Sequence, residues 1–148
     1  MFYESRKIQN SLTMDMQRKF LILGSLFGIT AVILGAFGAH ALKEMLDAEA
    51  LASFETGVKY QMYHALLLLF LGVENRMQMK TKNIIFYLLL IGIIFFSFSI
   101  YFLATNSYTT FDFTSIAWIT PIGGTLLIIG WFLMFVSFLK SNTNKTSD

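Results

Sequence analysis

The run "TGVKYQMYHALLLLFLG", Thr56–Gly72, sets a polar cluster directly against a block of leucine. Whether it crosses a membrane decides the fold, because it separates an even from an odd number of spans. Only 14 residues, Tyr60–Val73, lie between Lys59 and Glu74. At about 1.5 Å rise per residue they would cover roughly 21 Å, short of a hydrocarbon core of about 30 Å. A helix drawn back to about Ser53 is long enough. It brings Glu55 and Lys59 to the membrane edge, where they can pair on one helix face and the lysine stem can hold its ammonium among the headgroups. Tyr60 and Tyr63 then fall where amphipathic rings commonly anchor a helix.

The rest of the chain favours that reading. Hydrophobic residues make up 55% of its 148 positions and charged residues 14%, where a soluble domain carries about 25% charged residues. Mean hydropathy is +0.62. Between Lys19 and Lys43 the 23 residues "FLILGSLFGITAVILGAFGAHAL" carry no charge, enough for one span. Ile84–Ala104, 21 residues, offers another. The uncharged run Phe113–Leu139 contains Thr120-Pro121, which reads as an N-cap followed by a first helical residue whose missing N–H would be unpaired anyway.

The expected architecture is an all-α integral membrane protein, one domain of four transmembrane helices in a compact bundle. The spans fall at about residues 20–41, 53–73, 84–104 and 120–139. The first fifteen or so residues show no helical period, and 1–19 read as a disordered tail or an over-extended start, with Met14 or Met16 as the alternative initiator; 140–148 read as a second tail. In "ALKEMLDAEALASFE", Leu42, Met45 and Leu46 share a face away from Lys43, Glu44 and Asp47. That suggests a short interfacial helix between the first two spans.

With four spans, Arg6, Lys7, Arg18, Lys19, Arg76, Lys80, Lys82, Lys140 and Lys145 lie on one side and Lys43 and Lys59 on the other. Nine against two puts both termini in the cytoplasm and the protein in the cell membrane. A rival reading takes the basic start, the apolar run and Ala39-His40-Ala41 as a signal peptide. The apolar stretch Phe20–Phe37 exceeds the usual length of about 7–15 residues, and cleavage would leave three spans.

On the second helix Ser53, Gly57, Tyr60, Gln61 and His64 fall within about 100° of arc at 100° per residue. Such a seam should point into the bundle, since each unpaired polar group facing lipid costs several kcal/mol. Its expected partners are His40 at the end of span one and Ser97, Ser99 or Tyr101 of span three. Gly24, Gly28, Ala31, Gly35 and Gly38 line one face of span one; Gly123, Gly124 and Gly130 lie in span four. Small residues so spaced let a neighbouring backbone approach, and the face on span one would also permit a homo-oligomer.

With no cysteine there is no disulfide frame, thiolate metal site or cysteine nucleophile. A net charge of +2 is too small to suggest nucleic acid. The P-loop, G-x-S-x-G and H-E-x-x-H patterns are missing, so neither a catalytic residue nor a cofactor is expected. Two histidines also fall short of the three or four ligands that zinc takes, and a bis-histidine haem needs them on opposite sides of a porphyrin-sized slot. The expected role is non-enzymatic, structural or ligand-binding in the bilayer, with the lipid as partner and any small-molecule ligand unspecified. Two alternatives are a small dimeric transporter or channel, suggested by the seam and by Pro121 beside Gly123-Gly124, and a haem- or metal-binding redox protein using His40 and His64.

Four ordered stretches, "LGAFGAHALK", "FETGVKYQMYHALLLL", "FSFSIY" and "ITPIGGTLLIIGW", together resemble the domain of unknown function 423 family, also called uncharacterised protein family 382. The likeness covers about residues 20–139 and departs at Phe98, where the family pattern more often has Gly. The resemblance implies a small multi-pass membrane protein without an established biochemical role. It marks Gly35, Gly38, His40, Gly57, Tyr60, Gln61, Tyr63, His64, Tyr101, Pro121, Gly123 and Gly124 as motif positions.

Overall fold

The computed structural model describes residues 2–143, and all regular structure among them is helical. Helix α1 (Phe2–Phe37) runs through a π-helical segment, Gly38–Leu42, into the short α2 (Lys43–Met45). Next come α3 (Ala48–Val73) and α4 (Met79–Ile93), the latter continued by a second π segment, Ile94–Phe98, into α5 (Ser99–Ala104). Two 3-10 turns, Asn106–Tyr108 and Phe113–Ile116, lead to α6 (Ile119–Thr143). Three stretches are long and apolar enough to cross a membrane: Thr13–Met45, Met79–Ala104 and Phe113–Lys140.

Several boundaries differ from those the sequence suggests, for identifiable reasons. The backbone is already helical from Phe2, where a tail is expected over residues 1–19; of the expected C-terminal tail, residues 144–148 lie outside the described residues. The separate interfacial helix is not formed as such: Gly38–Met45 prolongs the first rod, and only Leu46 and Asp47 separate it from α3. Asp47 is extended (φ −66°, ψ 168°) and its carboxylate accepts the Ala50 N–H at 2.8 Å, an N-cap that starts α3 well before Ser53. The helix therefore has 26 residues, about 39 Å at 1.5 Å each. Tyr60–His64 falls midway along it. At α6 the structure likewise departs from the Thr120 cap. Pro121 sits in the first turn, while the Thr120 hydroxyl bonds Ser99 Oγ at 2.7 Å.

Small residues set the packing. A Cβ placed at Gly24 would lie 2.9 Å from the Ala65 carbonyl oxygen, at Gly35 3.4 Å from Val58 and at Gly38 3.2 Å from Phe54. These pairs run in opposite directions along the chain, so α1 and α3 are antiparallel, and α3 covers the small-residue face. That face is therefore not free for a second copy, which removes the basis for a homo-oligomer through it. On the other side α6 meets α4 and the second π segment. A Cβ at Gly123 would lie 2.7 Å from the Phe95 carbonyl carbon and closer still to the Phe96 nitrogen, and one at Gly130 3.1 Å from Leu89.

Two apolar clusters result. One gathers Phe20, Phe27, Leu68, Leu71, Ile85, Leu89 and Leu127; the other Leu42, Leu46, Phe54, Tyr101 and Ala104. Between them three of the rods place a polar residue: Thr30 on α1, Gln61 on α3, Ser97 in the second π segment. Outward, the helices present Ile22, Ile29, Val32, Leu66, Ile128 and Phe132, all exposed, as lipid contact would require.

The turn from α3 to α4 is tied by a carboxylate. Glu74, 6% exposed, accepts the backbone N–H of Arg76 at 2.8 Å, that of Met77 at 3.2 Å and the Arg76 Nε–H at 2.6 Å. The Lys82 ammonium donates to the Glu74 carbonyl oxygen. Burial alone would raise the Glu74 carboxyl, but the Arg76 and Met77 donors and the Arg76 charge outweigh it and hold it below the ordinary glutamate value.

Two predictions follow from these contacts. Gly123→Ala should lower stability by about 2 kcal/mol, because the added carbon meets backbone on a neighbouring helix. Gly28→Ala, 4.0 Å from the nearest atom, should be neutral or stabilising, alanine being the better helix former. Denaturant unfolding of both variants in one micelle system checks the contrast, and equal losses would refute the Gly123 contact. A group whose folded pKa is depressed adds stability above its unfolded value and loses it as pH falls through the folded one. Wild type should thus lose more stability than Glu74→Gln as pH falls below the ordinary glutamate range, read as a larger drop in Tm in thermal scans between neutral and acid pH.

Candidate functional site

The polar layer is built on the Gln61 side chain, which is fully buried. Its amide nitrogen donates to the Phe27 carbonyl oxygen at 2.9 Å and to Thr30 Oγ1 at 2.7 Å, both on α1. Its amide oxygen accepts from the Tyr101 hydroxyl of α5 at 2.9 Å. Thr30 passes its own proton back to the Leu26 carbonyl at 2.9 Å. Both amide hydrogens thus have acceptors, and three helices meet at one side chain. Gly57, one turn earlier on α3, leaves room for the tyrosine: a Cβ there would lie 2.7 Å from Tyr101 Cε1.

One turn later His64, 4% exposed, makes a second closed set. Its Nδ1 lies 2.7 Å from the Tyr60 carbonyl oxygen. A carbonyl only accepts, so Nδ1 carries the proton. Trp131 Nε1 of α6 lies 3.2 Å from Nε2, and since an indole N–H only donates, Nε2 accepts. The ring is held as the neutral Nδ1–H tautomer with both nitrogens engaged. Tyr60 itself packs its half-exposed ring on Phe96, centroids 4.8 Å apart.

The seam expected along α3 is therefore two-sided: Gly57 and Gln61 serve α1 and α5, Tyr60 and His64 serve the second π segment and α6. Of the expected partners, Tyr101 is engaged. Ser99 Oγ shares its proton between the Phe95 and Phe96 carbonyls and accepts from Thr120. Ser97 Oγ is fully buried and has no hydrogen-bond partner among the described residues. Ser53 is exposed and lines an outer cavity of about 330 Å³ with Asp47, Glu49 and Thr120.

His40 and His64 do not meet. With Gly35 beside Val58 and Gly38 beside Phe54, the antiparallel register sets His40 level with about residue 52, some twelve residues or about 18 Å from His64. His40 is exposed in the first π segment. The redox alternative thereby loses its pair, and a ligand on His64 Nε2 would have to displace Trp131. Among the described residues no three His, Asp or Glu side chains gather as a metal set.

Thr30 and Trp131 are the partners that sequence reasoning missed. Each left a trace. Thr30 is, with Ser25, one of two hydroxyl residues in the first uncharged run, and Trp131 lies near the middle of α6, where a tryptophan is less usual than at a helix end near the interface.

Buried polar groups that close on one another, inside helices that turn large apolar side chains outward, define an all-helical membrane protein. The chain belongs to the DUF423 family, described as "Protein of unknown function", whose family model matches residues 34–124. It is 40% identical over 128 residues to a "UPF0382 membrane protein" of Haemophilus influenzae, covering 86% of this chain and 99% of that one. It is 42% identical over 121 residues to "UPF0382 membrane protein SSP2132" of Staphylococcus saprophyticus, covering 82% and 97%. With "UPF0382 membrane protein YwdK" of Bacillus subtilis the identity is 35% over 123 residues, covering 82% and 96%. No solved structure matches.

Tyr101→Phe strands the Gln61 oxygen, and hydrogen bonds between membrane helices average about 0.6 and reach about 1.7 kcal/mol in double-mutant cycles. A cycle of Gln61→Ala with Tyr101→Phe should therefore return a coupling of about 1 kcal/mol. His40→Ala and His64→Ala should instead add to within about 0.5 kcal/mol. A coupled histidine pair with an uncoupled Gln61–Tyr101 pair would contradict the geometry.

Proposed function

We propose that the chain is a four-span protein of the cytoplasmic membrane, both termini inside, with a non-catalytic role as a rigid scaffold or assembly unit in the bilayer. The observation that carries the span count is the antiparallel register of α1 and α3. Gly24 abuts Ala65 and Gly38 abuts Phe54, so the two helices keep contact over at least fourteen residues, about 21 Å. A helix held that way beside a membrane span crosses with it, although its own run Lys59–His64 is polar. The orientation rests on the nine-to-two bias of basic residues.

The non-catalytic reading is supported by saturation. Gln61 and His64, the polar side chains midway along α3, have their donors and acceptors taken by neighbouring helices. Transport has less in its favour: the polar layer lies between the two apolar clusters, with Leu42, Leu46 and Phe54 towards one end and Phe20 and Leu71 towards the other.

The native chain lacks cysteine, which makes labelling clean. Glu44, Lys80 and Thr110 are all exposed. Cysteines replacing Glu44 and Thr110 should react with a membrane-impermeant maleimide in intact spheroplasts, and one replacing Lys80 only after lysis. Reaction of the Glu44 and Lys80 variants from the same side would eliminate the α3 crossing. Reversal of all three would overturn the orientation.

A further inference from the structure

We propose that the cavity between α4 and α6 near the α3–α4 turn binds the phosphate of an anionic phospholipid. It is about 410 Å³ in volume, and none of its lining residues is acidic. One end is polar and cationic, with Arg76, Lys140, Thr81 and Ser137. The wall beyond is apolar, formed by Val136 and Leu133, one and two turns into α6 from Lys140. Phosphate chemistry matches the first end and an acyl chain the second. Free phosphate would leave the apolar wall without a partner, and the wall is what selects lipid.

The cations are arranged for this. Arg76 is fixed from two directions: its Nε–H bonds Glu74 Oε1 at 2.6 Å, and its guanidinium carbon lies 5.2 Å over the Phe138 ring of α6. Its terminal amino groups make no hydrogen bond among the described residues, leaving donors suited to a phosphate. Lys140 has no carboxylate within ion-pair distance among the described residues. The Glu74 charge answers that of Arg76, so Lys140 supplies the uncompensated charge at the cavity. Basic groups at a membrane face are drawn to anionic headgroups, and here two of them sit at a formed cavity instead of a flat surface.

This inference rests on the membrane-spanning reading, under which the cavity opens at headgroup level on the cytoplasmic side. The test is headgroup selectivity of the full chain in detergent, followed by native mass spectrometry with added phosphatidylglycerol or phosphatidylcholine of the same acyl chains. Micelles have no sides, so the outcome is independent of orientation, and the cysteine labelling can fail without affecting it. Wild type should prefer phosphatidylglycerol. Lys140→Gln should weaken that binding about fivefold, the factor for one basic residue near an anionic surface, while leaving phosphatidylcholine binding unchanged. Lys43→Gln, at the opposite end, should change neither. Equal loss in the two variants would mean diffuse charge attraction and overturn the site. Full competition by inorganic phosphate would mean a free-anion site and overturn the lipid assignment, and absence of headgroup preference in wild type would overturn both.

Discussion

The Gln61 side chain is a primary amide enclosed by protein, with no solvent to satisfy it. In an apolar medium such a group is tolerated only when its donors and acceptor are matched, and an unmatched one costs several kcal/mol. Its three bonds reach Phe27 and Thr30 on α1 and Tyr101 on α5, which fixes the rotation and the height of three helices at once. Sliding α3 by one residue would turn the amide away from Thr30 and Tyr101 together. Apolar packing on either side is forgiving of such a slip; the amide is not.

That constraint explains why the small residues fall where they do. To bring Gln61 Nε2 within 2.9 Å of a main-chain carbonyl on α1, the two helix axes must approach closely. Gly24 against Ala65 and Gly38 against Phe54 permit this above and below. Gly57 plays the same part for the tyrosine. His64 then lies on the other flank of α3, where its closure with Trp131 couples the first helical hairpin to the second. The glycines and the polar residues are therefore parts of one device: close approach makes the hydrogen bonds reachable, and the hydrogen bonds define which close approach is used.

Most of the membrane class and the inward seam were legible in the sequence, because both depend on composition and helical period. Gly57, Gln61 and His64 lie at helix contacts, while Ser53 of the same arc is exposed. That His40 and His64 stay apart was not recoverable, since similar depth on two helices says nothing about register, and register is set here by the Gln61 hydrogen bonds together with the glycine contacts between chain-distant residues. The start of α3 was misplaced for a different reason. Asp47 caps a helix whose first turn, Ala48-Glu49-Ala50-Leu51, looks like loop beside a membrane run. The two π segments, Gly38–Leu42 and Ile94–Phe98, carry no signature in residue type at all.

The second π segment shows what such a segment contributes. Widening the helix by one residue per turn disturbs the regular carbonyl-to-amide pairing, and the Phe95 and Phe96 carbonyls are taken up by the Ser99 hydroxyl. With its proton shared there, Ser99 can only accept from Thr120, which ties α5 to the start of α6 and draws that threonine away from a capping role. Gly123, one turn on, then lies directly against the Phe95–Phe96 backbone. The approach is tightest there, two residues before Phe98. Phe98 packs its ring on Tyr101, centroids 5.8 Å apart. Close backbone contact at Gly123 and a bulky ring at Phe98 are thus compatible, because the π segment puts them on different faces: one meets α6, and the other supports the tyrosine on which Gln61 depends.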